Sequence, residues 1–320
     1  MSLLVPNQRD HVDAHADLDQ DELYRGLVEK IRLESPQELS WRFSAVPGFF
    51  VQSDPDTDDM NFNYALQDFG LKKPWEQLIE EVDHLNETSA GNECYKVIFL
   101  ARHGQGFHNI ASQKFSKEDW MAKWRFLGTD GEITWGPDSD LTELGVQQAV
   151  QNNEFWLDQL SKGAPIPSKF FVSPLRRSAS TLVHTWKSID IPKPVVCEGV
   201  RETIGLHLCH KRSTKSTIKQ LFPNFDFEPG FTEDDQLERV YSSEKEQLHE
   251  QFLRINYFLQ KLFESDWDGE KVDKSADSTF VNVTSHAGTM RAFITVVDHR
   301  KFTIPTGGQI PIVVKGVRKV

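Results

Sequence analysis

From Tyr95 onward the chain alternates short apolar runs with stretches in which apolar residues recur every three or four positions. The runs YKVIFLA, KFFVS, PVVCEGV, STFVNVTS and QIPIVVKG read as strands. Between them DLTELGVQQAVQNNEFWLDQL reads as a helix with Thr142 as its cap, and PLRRSASTLVHTWKS, STKSTIKQLF and AGTMRAFITVV read as three more. The clearest helical stripe spans residues 244–264, where Leu248, Phe252, Ile255, Leu259 and Leu262 share a face and Ser243 with Glu246 forms a capping box. Strands alternating with helices predict an α/β fold, a three-layer sandwich with a mostly parallel central sheet flanked by helices.

The upstream part is patterned differently. Residues 1–19 are polar and are expected to be a mobile arm. Residues 20–92 read as an N-terminal extension packed on a main domain at 93–320, because they are too few for a core of their own. Within the extension, DELYRGLVEKIRLE predicts a helix with Leu23, Leu27 and Ile31 on one face. SAVPGFFVQ predicts an extended piece before an acidic loop, and WEQLIEEVDHL a second helix. SDWDGEKVDKSADS, residues 265–278, reads as a solvated loop.

Composition narrows the partners. The 320 residues are 38% hydrophobic and 26% charged, with a formal net charge of -12. An acidic chain of this kind argues against nucleic acid or an anionic membrane as partner, since both recruit basic surface. A small anionic substrate would need a local cluster of cations to overcome that field. Cys94, Cys197 and Cys209 form no CxxC pair, which suits a reducing compartment. The N-terminus lacks a signal-peptide pattern, and no apolar run approaches the roughly 18 residues needed to cross a bilayer. The expected location is the cytoplasm, with the nucleus and export without a signal peptide left open. The oligomeric state is also left open.

Candidate chemistry gathers at strand ends. VIFLA ends in Arg102-His103-Gly104, FFVS in Ser173-Pro174-Leu175-Arg176-Arg177, and FVNVTS in His286-Ala287-Gly288. Ligands of open α/β sheets bind beyond the carboxyl ends of the strands. Two of these ends also open helices, whose free amides favour anions, and arginine's planar fork matches phosphate oxygens. Each motif alone is as well explained by capping or a solvated helix end. The conjunction of all three points to a phosphate pocket.

RHGQGFHN, SPLRRSAST, RETIG and TSHAG together resemble the histidine phosphatase superfamily in its phosphoglycerate-mutase-like branch, over residues 95 to about 300. RETIGLHLCHKR and the long N-terminal part are most similar to fungal phosphomutase-like proteins and their plant relatives. The resemblance implies a phosphoglycerate-mutase-like fold and the following roles. His103 would be the nucleophile that forms phosphohistidine, with Arg102, Arg177 and His286 holding the phosphoryl group. Asn109, Gly104 and the amide of Ala287 would be further phosphate contacts. Glu202 would be the acid that protonates the leaving oxygen, with a raised pKa or an acidic optimum. Glu198 is the runner-up acid, its plainer reading being an exposed carboxylate. No cofactor or metal is implied, because the arginines neutralise the charge.

Two departures matter. True mutases of this branch follow the acid with a Gly-Gly-Leu-Gln-Gly type stretch, whereas here Thr203-Ile204-Gly205-Leu206-His207-Leu208-Cys209 follows. That favours hydrolysis of small phosphomonoesters, of broad specificity and mildly acidic optimum, over phosphomutase activity; a non-catalytic phosphate-ligand-binding protein is the third reading. His210 stands where relatives carry aspartate, and is expected to relieve repulsion near the anion and to add a cation. His207, Cys209 and His210 also invite a zinc reading, for which no fourth ligand is found. The tryptophans of WMAKWRFLGTDGEITWG, residues 120–136, line either a substrate pocket or a packed cluster, and packing is the expected role.

Overall fold

The computed structural model describes residues 2–16, 18–241 and 244–319. Its strands are β1 (Trp41–Ala45), β2 (Glu93–Arg102), β3 (Lys169–Val172), β4 (Val195–Val196), β5 (Asp226–Phe227), β6 (Phe280–Ser285) and β7 (Gln309–Arg318). They form one seven-stranded sheet in the order β1-β7-β2-β6-β3-β4-β5. The β2–β6, β6–β3, β3–β4 and β4–β5 pairs are parallel, and β7 runs antiparallel to both its neighbours. The fold is α/β with a mostly parallel central sheet covered by helices on both faces.

β2 shows why two covering layers are needed. From Val97 to Arg102 every residue is buried, so both of its faces require partners. Phe99 packs on Trp75 and Trp156, from the helices Trp75–Thr88 and Glu143–Ser161. Lys96, of opposite parity, lies over Phe263 of the helix Leu248–Glu264. A lone buried ammonium would cost several kcal/mol. Lys96 is accordingly paired with the Asp266 carboxylate at 2.6 Å, and its Nζ also donates to the Ser278 carbonyl. The stretch 265–278, expected as a solvated loop, is therefore tied to the core at Asp266.

Other expectations shift with the packing. The first long helix, Leu18–Glu34, buries Tyr24 and Val28 and leaves Leu23 exposed, because helix Leu248–Glu264 offers Phe252 and Asn256 to that side. That second helix begins at Leu248, four residues later than expected. Its capping box joins Gln247 and Glu250, while Ser243 lies outside the described residues and Glu246 instead pairs with Arg254. PVVCEGV yields only the two-residue β4 before a 3₁₀ turn at Glu198–Val200. β1 lies within residues 20–92 and is an edge strand of the sheet itself. The expected mobile arm contains a docked helix, Gln8–His15, with Asp10 buried. The Trp120–Trp135 stretch packs as a small second core with Ala111 and Cys209. Among the described residues no helix is long and apolar enough to cross a membrane.

Candidate active site

Sheet register brings the motifs to one edge. Arg102 pairs with Ser285, Val172 with Thr284, and Val172 with Val196. The residues just beyond these ends therefore leave the sheet at nearly the same level. The His103 N–H continues the ladder by donating to the Ser285 carbonyl at 2.9 Å. His286 is the N-cap of the helix Ala287–Val296, Arg177 sits in the first turn of Arg176–Thr185, and Glu202 follows the turn after β4.

His103 is buried, and its Nδ1 lies 2.6 Å from its neighbour's carbonyl, that of Gly104. A carbonyl can only accept, so Nδ1 carries the proton and Nε2 keeps its lone pair. Arg177 Nε donates to that Nε2 at 3.3 Å. Burial, reinforced by the charges of Arg177 and Arg102, pushes the His103 pKa well below the ordinary histidine value. The imidazole is thus neutral, fixed in one tautomer and able to attack through Nε2.

Arg177 is fully buried and has no carboxylate in ion-pair distance among the described residues. Its Nη1 donates to the Cys209 carbonyl at 2.9 Å, and its Nη2 has no partner in the fold. His286 is arranged likewise. Its Nε2 lies 2.7 Å from the Ser173 hydroxyl and 3.2 Å from that of Ser178, while its buried Nδ1 has no partner. Both hydroxyls can serve Nε2 as donor or acceptor, and the His103 and His286 ring centres are 5.0 Å apart. Burial and the Arg177 charge hold His286 well below the ordinary value as well. The unpartnered Arg177 N–H groups beside a neutral nucleophile can bind a phosphoryl group as its charge develops.

Glu202 corrects one expectation. Burial alone would raise its pKa. The Thr203 amide, which donates to Oε1 at 2.9 Å, and the charges of Arg177, Lys245 and Arg291 outweigh burial, and the net shift is downward. Gly288 is what lets the carboxylate lie here: a Cβ at that position would fall 2.4 Å from Glu202 Oε1.

The remaining residues divide. Arg102 points into the same edge, with Nε unpartnered and Nη1 held by Asp10 and the Ile304 carbonyl. Ala287 lines a narrow cleft with Asp10, Arg291 and Ile304. The Asn109 Oδ1 accepts from the Gly106 N–H at the start of the helix Phe107–Lys114. Gly104 differs from expectation, because its N–H donates to Thr181 Oγ1 at 3.0 Å and is not free for an anion. The glycine is needed for packing instead: a Cβ on Gly104 would lie 2.3 Å from the Gly145 carbonyl. His210 is not the expected cation: burial pushes its pKa well below the ordinary value, outweighing the bond its Nδ1–H donates to the Thr203 carbonyl at 2.7 Å. Glu198 bridges Arg201 and Arg212 and so is neither exposed nor a free acid.

Among the described residues, two groups have ligand atoms within 4.8 Å of one another, His207–Cys209–His210 and His11–His15–Asp59. In the first, burial pushes the Cys209 thiol up to about 11, away from the thiolate a metal requires. In the second, His15 and Thr303 already satisfy Asp59. Sequence reasoning missed Asp10, Thr181 and Gln251, a buried amide beside Glu202 and Gly288. Ser173, Ser178 and Thr181 lie inside the quoted SPLRRSAST motif, so a signal for them existed. For Asp10 there was none.

An α/β sheet that delivers two arginines and two neutral histidines to one edge defines a protein of phosphoryl-transfer chemistry. A family model for the histidine phosphatase superfamily (branch 1) matches residues 98–305, and the chain belongs to that superfamily. It is 37% identical to phosphomutase-like protein 3 of Candida albicans, over 85% of this chain and 80% of that one. It is 34% identical to a probable phosphoglycerate mutase of Arthroderma benhamiae, over 85% and 84%. Among solved structures it is similar to a mycobacterial glucosyl-3-phosphoglycerate phosphatase (TM-score 0.38, 19% identity, 67% of this chain and 87% of that one). An ecdysone phosphate phosphatase from Bombix mori is similar at TM-score 0.40 and 16% identity, over 63% and 76%.

Proposed function

We propose that this protein is a phosphatase that hydrolyses small phosphomonoesters through a phosphohistidine on His103, with broad specificity and a mildly acidic optimum. The observation that carries this reading is the neutral His103 Nε2 facing Arg177, a buried guanidinium with no carboxylate within ion-pair distance among the described residues. In the first step Nε2 attacks phosphorus, the ester P–O bond breaks, and Glu202 gives its proton to the departing alcohol. The Nδ1 proton stays on the ring, shared with the Gly104 carbonyl. In the second step water attacks the phosphohistidine, Glu202 takes a proton back, and phosphate leaves. Arg102, Arg177 and His286 hold the phosphoryl oxygens, and Asn109 and the Ala287 amide lie at the same edge. These donors address the phosphoryl group and not the alcohol, which supports broad specificity. Glu202 works protonated, and a bound phosphate dianion beside it offsets the depression its pKa has in the free protein, which supports an optimum on the acidic side.

The test is to quench turnover of a phosphorus-labelled ester within milliseconds. Label on His103 that survives alkali and is lost in acid is expected; turnover without such label would sink the proposal. The relatives named as mutases favour a second reading, phosphomutase activity. Supplying a phosphoglycerate distinguishes the two, because a mutase returns an isomer and a phosphatase returns glycerate and phosphate.

Gly288→Ala offers a finer check. Gly288 lies in the first turn of its helix with a negative φ that alanine also adopts, so thermal stability should change little. The added methyl must displace the Glu202 carboxylate, and misplacement of about 1 Å can cost roughly 100-fold in rate. A kcat loss of that order with little change in KM is the expected kinetic result.

A further inference from the structure

The helix Gln8–His15 contributes a side chain to the phosphate edge. Asp10 lies 92 positions before Arg102, yet its Oδ1 accepts from Arg102 Nη1 at 2.7 Å, and the two side chains are only 5% and 8% exposed. The other Nη1 hydrogen goes to the Ile304 carbonyl at 2.6 Å. With both Nη1 hydrogens committed, the donors left are those on Nε and Nη2, and Nε has no partner in the fold. Guanidinium groups bind phosphate best through two parallel N–H bonds from one edge. Asp10 and Ile304 together decide which edge that is.

We infer that Asp10 is a positioning residue, which turns the Nε–Nη2 edge of Arg102 toward the phosphoryl group. This rests on the phosphate-binding reading of the edge.

The helix is built for the task. Asp10 Oδ2 also accepts from the Asn7 N–H at 3.0 Å, closing a capping box, so one carboxylate both starts the helix and holds Arg102. Arg9 donates to Ser112 on the helix that follows the nucleophile loop. Arg291, from the helix opened by His286, donates to the Asp13 carbonyl and carboxylate. Upstream, the Leu3 carbonyl accepts from Gln148, and Leu4 is fully buried. The Ser112 and Arg291 anchors lie on helices that carry Asn109 and Ala287, so the helix fixes Asp10 relative to the site. The carboxylate also offsets part of the Arg102 charge, yet by taking Nη1 it leaves the remaining edge to the substrate.

The experiment titrates inorganic phosphate into the full-length protein and into Asp10→Ala, Asp10→Asn, Arg102→Ala and the Asp10→Ala/Arg102→Ala double variant, with thermal unfolding of each. Freed of Asp10, Arg102 should lose its register, and phosphate affinity should fall roughly tenfold, the worth of one charge-assisted hydrogen bond. Asp10→Asn, whose amide oxygen can still accept from Nη1, should recover most of the loss. In the Arg102→Ala background, Asp10→Ala should cost nothing further. An equal loss in that background would mark a merely structural role and overturn the inference. Unchanged affinity would overturn it too, as would tighter binding, which would make Asp10 a competitor for Arg102. Ester hydrolysis by the wild type is read separately. Phosphate binding with this pattern but no hydrolysis would defeat the phosphatase reading and leave Asp10 its role; hydrolysis with an indifferent Asp10→Ala would do the reverse.

Discussion

Replacing His103 by alanine should lower phosphate release by roughly 10⁴-fold or more, the scale on which loss of a nucleophile is felt in a covalent mechanism. The methyl group has no lone pair, and no other neutral imidazole can stand in. The His286 Nε2 is engaged by Ser173 and Ser178, and its ring centre lies 5.0 Å from that of His103. His108 is the next ring, 5.3 Å from His103 between centres, and burial with the Arg177 charge holds it neutral too. Affinity for inorganic phosphate should survive, because Arg102, Arg177 and His286 remain. The signature is therefore a collapse of kcat with binding retained, and no acid-labile label on the protein. Release that persists in this variant would mean direct attack by water.

The pH dependence of the nucleophile follows from its surroundings. A histidine with a depressed pKa stays neutral as the pH falls below the usual histidine range. His103 therefore imposes no loss of activity until conditions are well below that range, which leaves room for an acidic optimum set by the acid.

Much of this edge was legible from residues that sit next to one another in the chain. A strand that runs into Arg-His-Gly, and another into His-Ala-Gly, carries its own chemistry, and parallel pairing then places both at one level. What sequence could not supply were the long-range terms. Asp10 and Arg102 share no local pattern. Nothing local to YKVIFLA tells that Asp266 is drawn out of an apparent solvent loop to pair with Lys96. The burial of Tyr24 and Val28 in place of Leu23 was decided by the opposing helix, which a single helix's periodicity cannot report. The glycine after His103 was read as closeness to a ligand, and its neighbour proved to be Gly145. The sign of the Glu202 shift had the same origin, since Lys245 and Arg291 reach it only through the fold.

That sign makes Glu202→Gln the most informative single change after His103. A general acid contributes about 10²- to 10⁴-fold, and glutamine cannot donate a proton to an alkoxide. The loss should depend on the leaving group. For an alkyl phosphate, whose alcohol is a poor leaving group, the full factor is expected. For an aryl ester of an acidic phenol, which departs without a proton, the loss should be small. The pH profiles give a second reading. In the wild type the acid works protonated, and its pKa in the free protein is depressed, so kcat/KM should rise as the pH falls toward that pKa. A bound phosphate dianion adds negative charge beside Glu202 and raises its pKa. The kcat profile should therefore extend to higher pH than the kcat/KM profile. Both dependences on Glu202 should vanish in Glu202→Gln. Glu198→Gln is the control: it should weaken the Arg201 and Arg212 bridges and lower thermal stability while leaving leaving-group dependence intact. If Glu198→Gln instead erased that dependence and Glu202→Gln preserved it, the acid would have to be reassigned.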